Sequence, residues 1–218
     1  MATQIKQGPL LPTKSPNFPL APELVDRKFI DDFQNVLRLY FNQNDNINGS
    51  LLGPIGGQYI NNTYAAVQRT TNKTFTANTA TQITFNQNDY LNGTTNDGTD
   101  GIHVVYSGIY NYQFSAQFAN TSATSFAAWI WLRKNGVDIA GTGSRFDIPT
   151  KHGSSDGYLI AACNFYVQLA AGDTIEMWAA TDSTTVYMEA YAAQTSPFAM
   201  PAIPSVVATL SFVSSIPT

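Results

Sequence analysis

The strongest constraint on the fold lies between residues 108 and 118, which read GIYNYQFSAQF. From Tyr110 to Phe118 every second residue is aromatic or Ala, and the residues between them are Asn, Gln and Ser. A period of two places the aromatic side chains on one face of a β-strand and the amides on the other. The segment therefore predicts a strand with one apolar and one polar face.

Further segments of this kind follow one another from Tyr59 onward, separated by turn sequences such as NGTTNDGTDG, KNG and AAGD. No helical periodicity lies between them. Many short strands with regular turns are typical of a β-sandwich or jelly roll. The predicted strands cover residues 64–69, 73–76, 81–86, 102–106, 109–119, 126–134, 137–140, 158–169, 173–180, 185–193 and 205–213.

The predicted strand 126–134 is apolar on both faces, because Trp129 and Trp131 alternate with Ile130 and Leu132. In a lone sandwich one face of a strand packs in the core and the other meets water. Two apolar faces predict that a partner covers the outer one. An inner strand lying beneath a long loop is the alternative.

The chain before the β-region divides into three predicted segments. Residues 1–21 form a Pro-rich arm that cannot support a packed core by itself. Residues 22–50 contain a helix, expected from about Pro22 to Asn46, and residues 51–58 form a Gly-rich hinge before the knob domain at 59–218. We expect the arm to attach the protein to a larger particle through Pro9, Pro12, Pro16, Phe18 and Pro19.

Apolar residues in the predicted helix recur at alternating steps of three and four, which is a heptad pattern with one polar position, Asn44. A buried Asn in such a seam can determine register and oligomeric state. Because further apolar residues widen the stripe, docking of the helix onto another surface explains the pattern as well as self-association does. The seam consists of Ile30, Phe33, Leu37, Tyr40, Asn44 and Ile47.

Composition excludes several classes of function. Charged residues make up only 12% of the chain and the net charge is −4. The eleven Lys and Arg residues are scattered, which argues against a nucleic-acid partner. The single Cys163 excludes an intrachain disulfide framework, and no signal peptide or membrane-spanning segment is evident. A surface of Asn, Gln, Ser and Thr suits burial between subunits, although it can equally reflect the composition typical of the source organism.

Candidate sites for chemistry are weak, so we expect neither an enzyme nor a cofactor. His152, Ser154 and Asp156 share one Gly-rich loop and are too close in sequence to surround a nucleophile. Glu176 and Glu189 could serve as a carboxylate pair only if they flanked one groove. The loop with Asp97 and Asp100 resembles a calcium-binding sequence, but a plain β-turn explains it equally.

The order and spacing of the strands resemble the globular head of the first complement component and the tumour-necrosis-factor fold. The matching segments are QITFNQ, SGIYNYQFSAQF, LRKNG, FYVQLAAGDTIEMW and VVATLSFV, over about 150 residues. The last segment departs from the family because it lacks the usual Phe-x-Gly. The resemblance implies a ten-stranded jelly roll that forms a homotrimer around a three-fold axis. The interface residues that it implies are Tyr110, Tyr112, Phe114, Trp129 and Trp131.

A second, looser resemblance concerns the segment NFPLAPELVDRKFIDDFQNVLRLYFNQNDNINGSLLG, which is similar to helical segments in structural proteins of phages that infect marine bacteria. It implies a virion protein, made in the host cytoplasm, whose N-terminus binds capsid, neck or tail proteins and whose knob projects. The alternative is a receptor-binding adhesin, in which the knob contacts a glycan or protein of the host surface.

Overall fold

A computed structural model describes residues 26–52 and 62–216, with helix side chains described as far as Ile47. Contacts divide the chain into two compact units, Met1–Asn61 and Asn62–Thr218. The predicted arm at 1–21, with Pro9, Pro12, Pro16, Phe18 and Pro19, lies outside the described residues. Most of the predicted hinge does too.

The first unit contains one helix, α1 (Arg27–Leu52). Asp26 caps it, because its carboxylate accepts a hydrogen bond of 2.7 Å from the Phe29 amide and so satisfies a free N–H of the first turn. The expected end at Asn46 is too early. The helix continues through Gly49, whose cost in a helix is only about 1 kcal/mol. Among the described residues no helix has the length and hydropathy that crossing a bilayer requires.

The second unit is β throughout. Its described part forms fourteen strands, more than the ten expected, because several are segments of two or three residues. The strands are β1 (Tyr64–Arg69), β2 (Lys73–Thr74), β3 (Thr81–Ile83), β4 (Gln87–Asn92), β5 (Thr94–Thr95), β6 (Ile102–Val104), β7 (Gly108–Asn120), β8 (Phe126–Lys134), β9 (Val137–Asp138), β10 (Ser144–Ile148), β11 (Gly157–Leu169), β12 (Thr174–Thr181), β13 (Val186–Met188) and β14 (Val206–Ser214).

The first sheet is antiparallel and has β7 near its centre. One edge of β7 pairs with β11 over its full length, from Gly108 to Asn120. The other edge pairs with β14 and then, at its far end, with β13. Beyond β14 come β1 and β4, and β2 pairs with β13, so that strands distant in sequence are neighbours in the sheet.

The second sheet is also antiparallel and is built on β8 and β12, which pair from Ile175 opposite Lys134 to Thr181 opposite Ala128. The free edge of β8 takes β10 and the short β9. The free edge of β12 takes β3 and β6, and β6 pairs with β5. Two antiparallel sheets with crossing connections confirm the expected mainly β jelly-roll sandwich preceded by one helix.

The core lies between the two sheets. Its largest side chains alternate along each strand, as expected for strands with one face inside. Gly108 begins β7 where no larger residue fits, because a Cβ there would lie 2.5 Å from the Phe212 ring. The fully buried large residues include Tyr110, Tyr112, Phe118, Ile130, Leu132, Ile175 and Met177.

Two core tyrosines provide a matched test of this packing. Tyr110 donates a hydrogen bond of 2.6 Å to the Tyr106 carbonyl, whereas the Tyr112 hydroxyl has no partner among the described residues and burial raises its pKa. We expect Tyr110→Phe to lower the free energy of unfolding by about 1 kcal/mol, and Tyr112→Phe to leave it unchanged or raise it slightly. Denaturant unfolding measures both, and an equal loss in the two variants would contradict the assignment.

Candidate functional site

The structure places three of the five expected interface residues inside the domain. Tyr110 and Tyr112 are fully buried and Phe114 nearly so, all within a single subunit. Their side chains fill the space between the sheets and cannot reach another copy. The prediction is therefore corrected for these three: the aromatic face of β7 is the core face, and the amide face points outward.

The outward face of the first sheet carries a different apolar group on β11. Tyr158, Ile160 and Tyr166 are 54%, 65% and 68% exposed, because they alternate with residues that face the core. They lie directly opposite Ala119, Gln117 and Asn111 of β7. We call this surface, formed by the three β11 side chains and the outward residues of β7 and β14, the tyrosine face.

The tyrosine face is uncharged across the three strands that form it, β11, β7 and β14. A neutral polar surface with large apolar residues along one side is easier to desolvate than a charged one, because no ionised group has to leave water. The outward residues are Tyr158, Ile160, Ala162, Asn164, Tyr166 and Gln168 of β11, Ile109, Asn111, Gln113, Ser115 and Gln117 of β7, and Val207, Thr209 and Ser211 of β14.

A tyrosine–carboxylate cluster lies around β13, which extends this sheet. Tyr187 donates to Oε1 of Glu189 over 3.1 Å, and Tyr191 donates to Oε2 over 2.6 Å. Tyr187 also contacts Oδ2 of Asp156 at 3.3 Å. Burial, followed by the nearby Glu189 carboxylate, raises the pKa of Tyr187 above its usual value. These phenols therefore act as neutral donors that hold the carboxylates in place.

The other two expected interface residues, Trp129 and Trp131, lie on the outward face of the second sheet and are half-buried. Trp131 donates its indole N–H to Oδ1 of Asp138 over 2.7 Å. In the neighbouring strand β12, Trp178 lies opposite Trp131. The Arg133 guanidinium stacks on the Trp178 ring, 3.9 Å from the ring centroid. The outward face of the strand is thus aromatic, as the sequence predicted.

Beside Trp129 and Trp131 the surface forms a depression of about 460 Å³. Its lining also includes Gly143, Arg145 and Ala180. Trp129 lies between Ala180 of β12 and Arg145 of β10, which are its direct partners in the two neighbouring strands. We call this depression the tryptophan pocket.

The weak metal candidates Asp97 and Asp100 are brought together with His103, which the sequence did not connect to them. Ligand atoms of the three residues lie within 4.8 Å of one another. His103 Nε2 lies 2.9 Å from Oδ1 of Asp100, and its Nδ1 lies 2.7 Å from the Thr174 hydroxyl. Hydrogen bonds from the Thr99 side chain and amide lower the pKa of Asp97. All three side chains therefore have partners within the protein.

The two glutamates considered as a carboxylate pair are separated by the fold. Glu176 lies in β12 of the second sheet, where it is 7% exposed and accepts hydrogen bonds from the Gly136 amide and the Trp178 indole. Glu189 follows β13 of the first sheet. The two carboxylates therefore cannot flank one groove. His152 is likewise in a tight turn, where its backbone pairs with Ser155.

In α1 the seam residues Phe33, Leu37, Tyr40, Asn44 and Ile47 are half-buried, whereas Ile30 is exposed. Phe29 and Phe33 stack with ring centroids 6.3 Å apart. No described side chain of the helix is fully buried. Both explanations of the seam, self-association and docking, stay predictions.

The turn motifs behind the family resemblance contact each other. The Asn135 side chain donates to Oδ1 of Asp173 over 2.7 Å and accepts from the Thr174 amide over 2.8 Å. Asp173 Oδ2 accepts from the Ala170 amide, and this bond lowers the pKa of the carboxyl. Asn135 has a φ of 50° and Gly136 of 79°, a conformation that Asn and Gly tolerate best. We call this contact the turn clasp.

No family model and no curated protein matches the sequence. Two solved structures with a similar fold are Eiger TNF from S. frugiperda and the globular domain of zebrafish complement 1qA. The first has 8% identity and a TM-score of 0.43, over 72% of this chain and 96% of that chain. The second has 12% identity and a TM-score of 0.40, over 71% and 99%. At these identities the likeness concerns the fold alone.

Sequence reasoning missed the tyrosine face, although a signal for it was present. Residues 158–169 read YLIAACNFYVQL, with apolar residues at odd and even positions alike. Apolar residues at both odd and even positions predict two apolar strand faces, as they do for the strand that contains Trp129. The aromatic row of β7 is the stronger sequence signal, but it faces the core and therefore gives no indication of this surface.

The turn clasp predicts a pH-dependent stability. We expect Asp173→Asn to lower the free energy of unfolding at neutral pH by about 1 kcal/mol, because a charged acceptor of two hydrogen bonds is lost. Since the pKa of Asp173 is lowered in the folded state, its contribution is present above the ordinary aspartate range and is lost as the pH falls through the lowered pKa. The unfolding free energies of the unmodified protein and of Asp173→Asn should therefore become equal at acidic pH.

Asp147→Asn is the matched control, because this carboxylate pairs with Arg145 at the surface and both side chains are more than half exposed. Its unfolding free energy should stay close to that of the unmodified protein at every pH. A loss for Asp173→Asn that persists unchanged at low pH would contradict the role assigned to the carboxylate charge.

Proposed function

We propose that the protein is a homotrimeric knob of a bacteriophage virion, attached to capsid, neck or tail proteins through residues 1–50. The single observation that carries the trimer is the uncharged tyrosine face, with three large side chains more than half exposed. The virion assignment is supported by the resemblance of the helical segment to phage structural proteins. The number of three copies is supported by the family resemblance of the β-domain.

Burial of the tyrosine face supplies the driving force for assembly. Covering the exposed parts of Tyr158, Ile160 and Tyr166 contributes about 1 kcal/mol each, and every subunit of a closed ring gains this contribution. Of the five residues expected from the sequence, three are in the core, and Trp129 and Trp131 lie on the opposite sheet, away from the tyrosine face. The proposal therefore assigns the interface to the tyrosine face in place of the five residues expected from the sequence.

Native mass measurement tests the trimer. We expect a trimer at micromolar concentration for the full chain and dissociation for Ile160→Glu, because each contact would then have to bury an unpaired charge. Val137→Glu is the matched control: Val137 is as exposed as Ile160 but lies in the hairpin of the second sheet. A monomeric unmodified protein, or an intact Ile160→Glu trimer, would count against the proposal.

Attachment through the N-terminal segment is tested separately. Particles assembled with a chain that lacks residues 1–50 should lose this protein, whereas particles carrying Ile160→Glu should retain some, because the attaching segment is unchanged. Quantitative protein analysis of purified particles measures both. Equal incorporation of the truncated and complete chains would rule out this mode of attachment.

The alternative function is a receptor-binding adhesin whose knob recognises the host surface, and the tryptophan pocket is the observation that favours it. Deleting residues 59–218 should abolish adsorption to host cells if the knob is the adhesin. If the knob only stabilises the particle, the same deletion should reduce particle stability and leave adsorption intact.

A further inference from the structure

We infer that the tryptophan pocket binds a hexopyranose ring of a neutral glycan. The inference rests on the adhesin alternative for the ligand's source, but it does not depend on the trimer. A volume of about 460 Å³ is in the range of small-ligand sites and is too small to seat a protein element. Aromatic side chains with a few polar groups at the edge are the usual lining of such sites.

The two tryptophans suit a ring-shaped ligand with apolar faces. Trp129 and Trp131 stand two residues apart on the same face of β8, a spacing of about 7 Å. The Trp131 indole is held by its hydrogen bond to Asp138, so stacking on it costs little conformational entropy. The C–H groups on one face of a pyranose can contact such a ring, while the hydroxyls point outward to the rim.

Charges around the pocket favour a neutral ligand. Arg145 pairs with Asp147 at 2.7 Å, and Arg133 pairs with Asp138. Each cation thus has an anion beside it, and neither sign is in excess. The exposed Arg145 side chain, which lines the pocket, supplies hydrogen-bond donors for sugar hydroxyls.

Two other occupants fit less well. A quaternary ammonium ligand would bring a third positive charge beside Arg145 and Arg133, which lie 5.9 Å from the Trp129 and Trp131 ring centroids. A second copy of the chain would have to insert a side chain into the depression, while the tyrosine face offers a broader apolar surface. A neutral sugar ring fits the volume of the pocket and suits the balanced charges around it.

Gly143 gives a way to close the pocket without disturbing the fold. A Cβ at this position would meet no atom within 4 Å, and the residue lacks the positive φ that makes substitution costly elsewhere. Gly143→Leu should therefore fill the depression while the domain stays folded. It complements Trp129→Ala, which removes one stacking surface.

The test uses the full chain, a glycan array and saturation-transfer NMR with methyl glycosides of glucose, galactose, mannose and N-acetylglucosamine. We expect saturation of ring C–H protons for at least one glycoside. Trp129→Ala and Gly143→Leu should each weaken the association about tenfold or more, since loss of one aromatic contact of about 1.4 kcal/mol has this effect. Phe198→Ala is the matched control, because Phe198 is an exposed aromatic residue that is not part of the pocket lining, and it should bind as the unmodified protein does.

Two results would overturn the inference: no binding of any glycan on the array or in the NMR panel, or binding by the two pocket variants that equals that of the unmodified protein. Thermal unfolding of each variant confirms that it is folded. Ile160→Glu separates this result from the trimer, since a dissociated protein should keep its affinity for a methyl glycoside and lose only the avidity seen on the array.

Discussion

Strand β7 is the element on which the rest of the domain depends, because it pairs with three strands and separates the core from the outer surface of its sheet. Its aromatic residues fill the space between the sheets, and its amides form the middle of the tyrosine face. Full-length pairing with β11 determines which residues of β11 point outward. A shift of one residue in this register would expose the core side chains and bury Gln and Asn without partners.

The motifs that carry the family resemblance have a structural explanation that is independent of any ligand. Asn135 and Asp173 join two turns at one end of the second sheet, and Gly136 supplies both a left-handed conformation and an amide for Glu176. Residues of these types at these places are needed to connect β8 with β9 and β11 with β12. Such motifs therefore indicate the fold of the domain and say nothing about what it binds.

Much of the fold follows from the sequence because the alternation of apolar and polar residues is a strong signal of a β-strand. Strands β1 and β8 begin and end where expected, and β7, β11, β12 and β14 differ by about one residue at their ends. The strands β4, β5 and β10 were missed. β4 reads QNDYLN, whose polar residues give no alternation, since an edge strand of this kind is held by backbone pairing and not by burial.

The faces of the strands were harder to assign than the strands themselves. Alternation shows that β7 has an apolar side, but an apolar side can equally face the core or a neighbouring subunit. Only the second sheet, closing over Tyr110 and Tyr112, decides between them. The cluster of Asp97, Asp100 and His103 illustrates the same limit, because its proximity depends on the turn between β5 and β6.

The two candidate surfaces lie on opposite sheets, and this arrangement allows both to act in one assembly. If the first sheet faces the axis of a trimer, the second sheet points outward and displays three tryptophan pockets. A single shallow sugar site binds weakly, because few contacts offset the loss of the ligand's freedom. Three sites held on one rigid particle bind a glycan-coated surface far more tightly, since each later contact is intramolecular. With charged residues at only 12% of the chain, electrostatic steering would contribute little to the rate of such an attachment, and the number of simultaneous contacts would determine its strength.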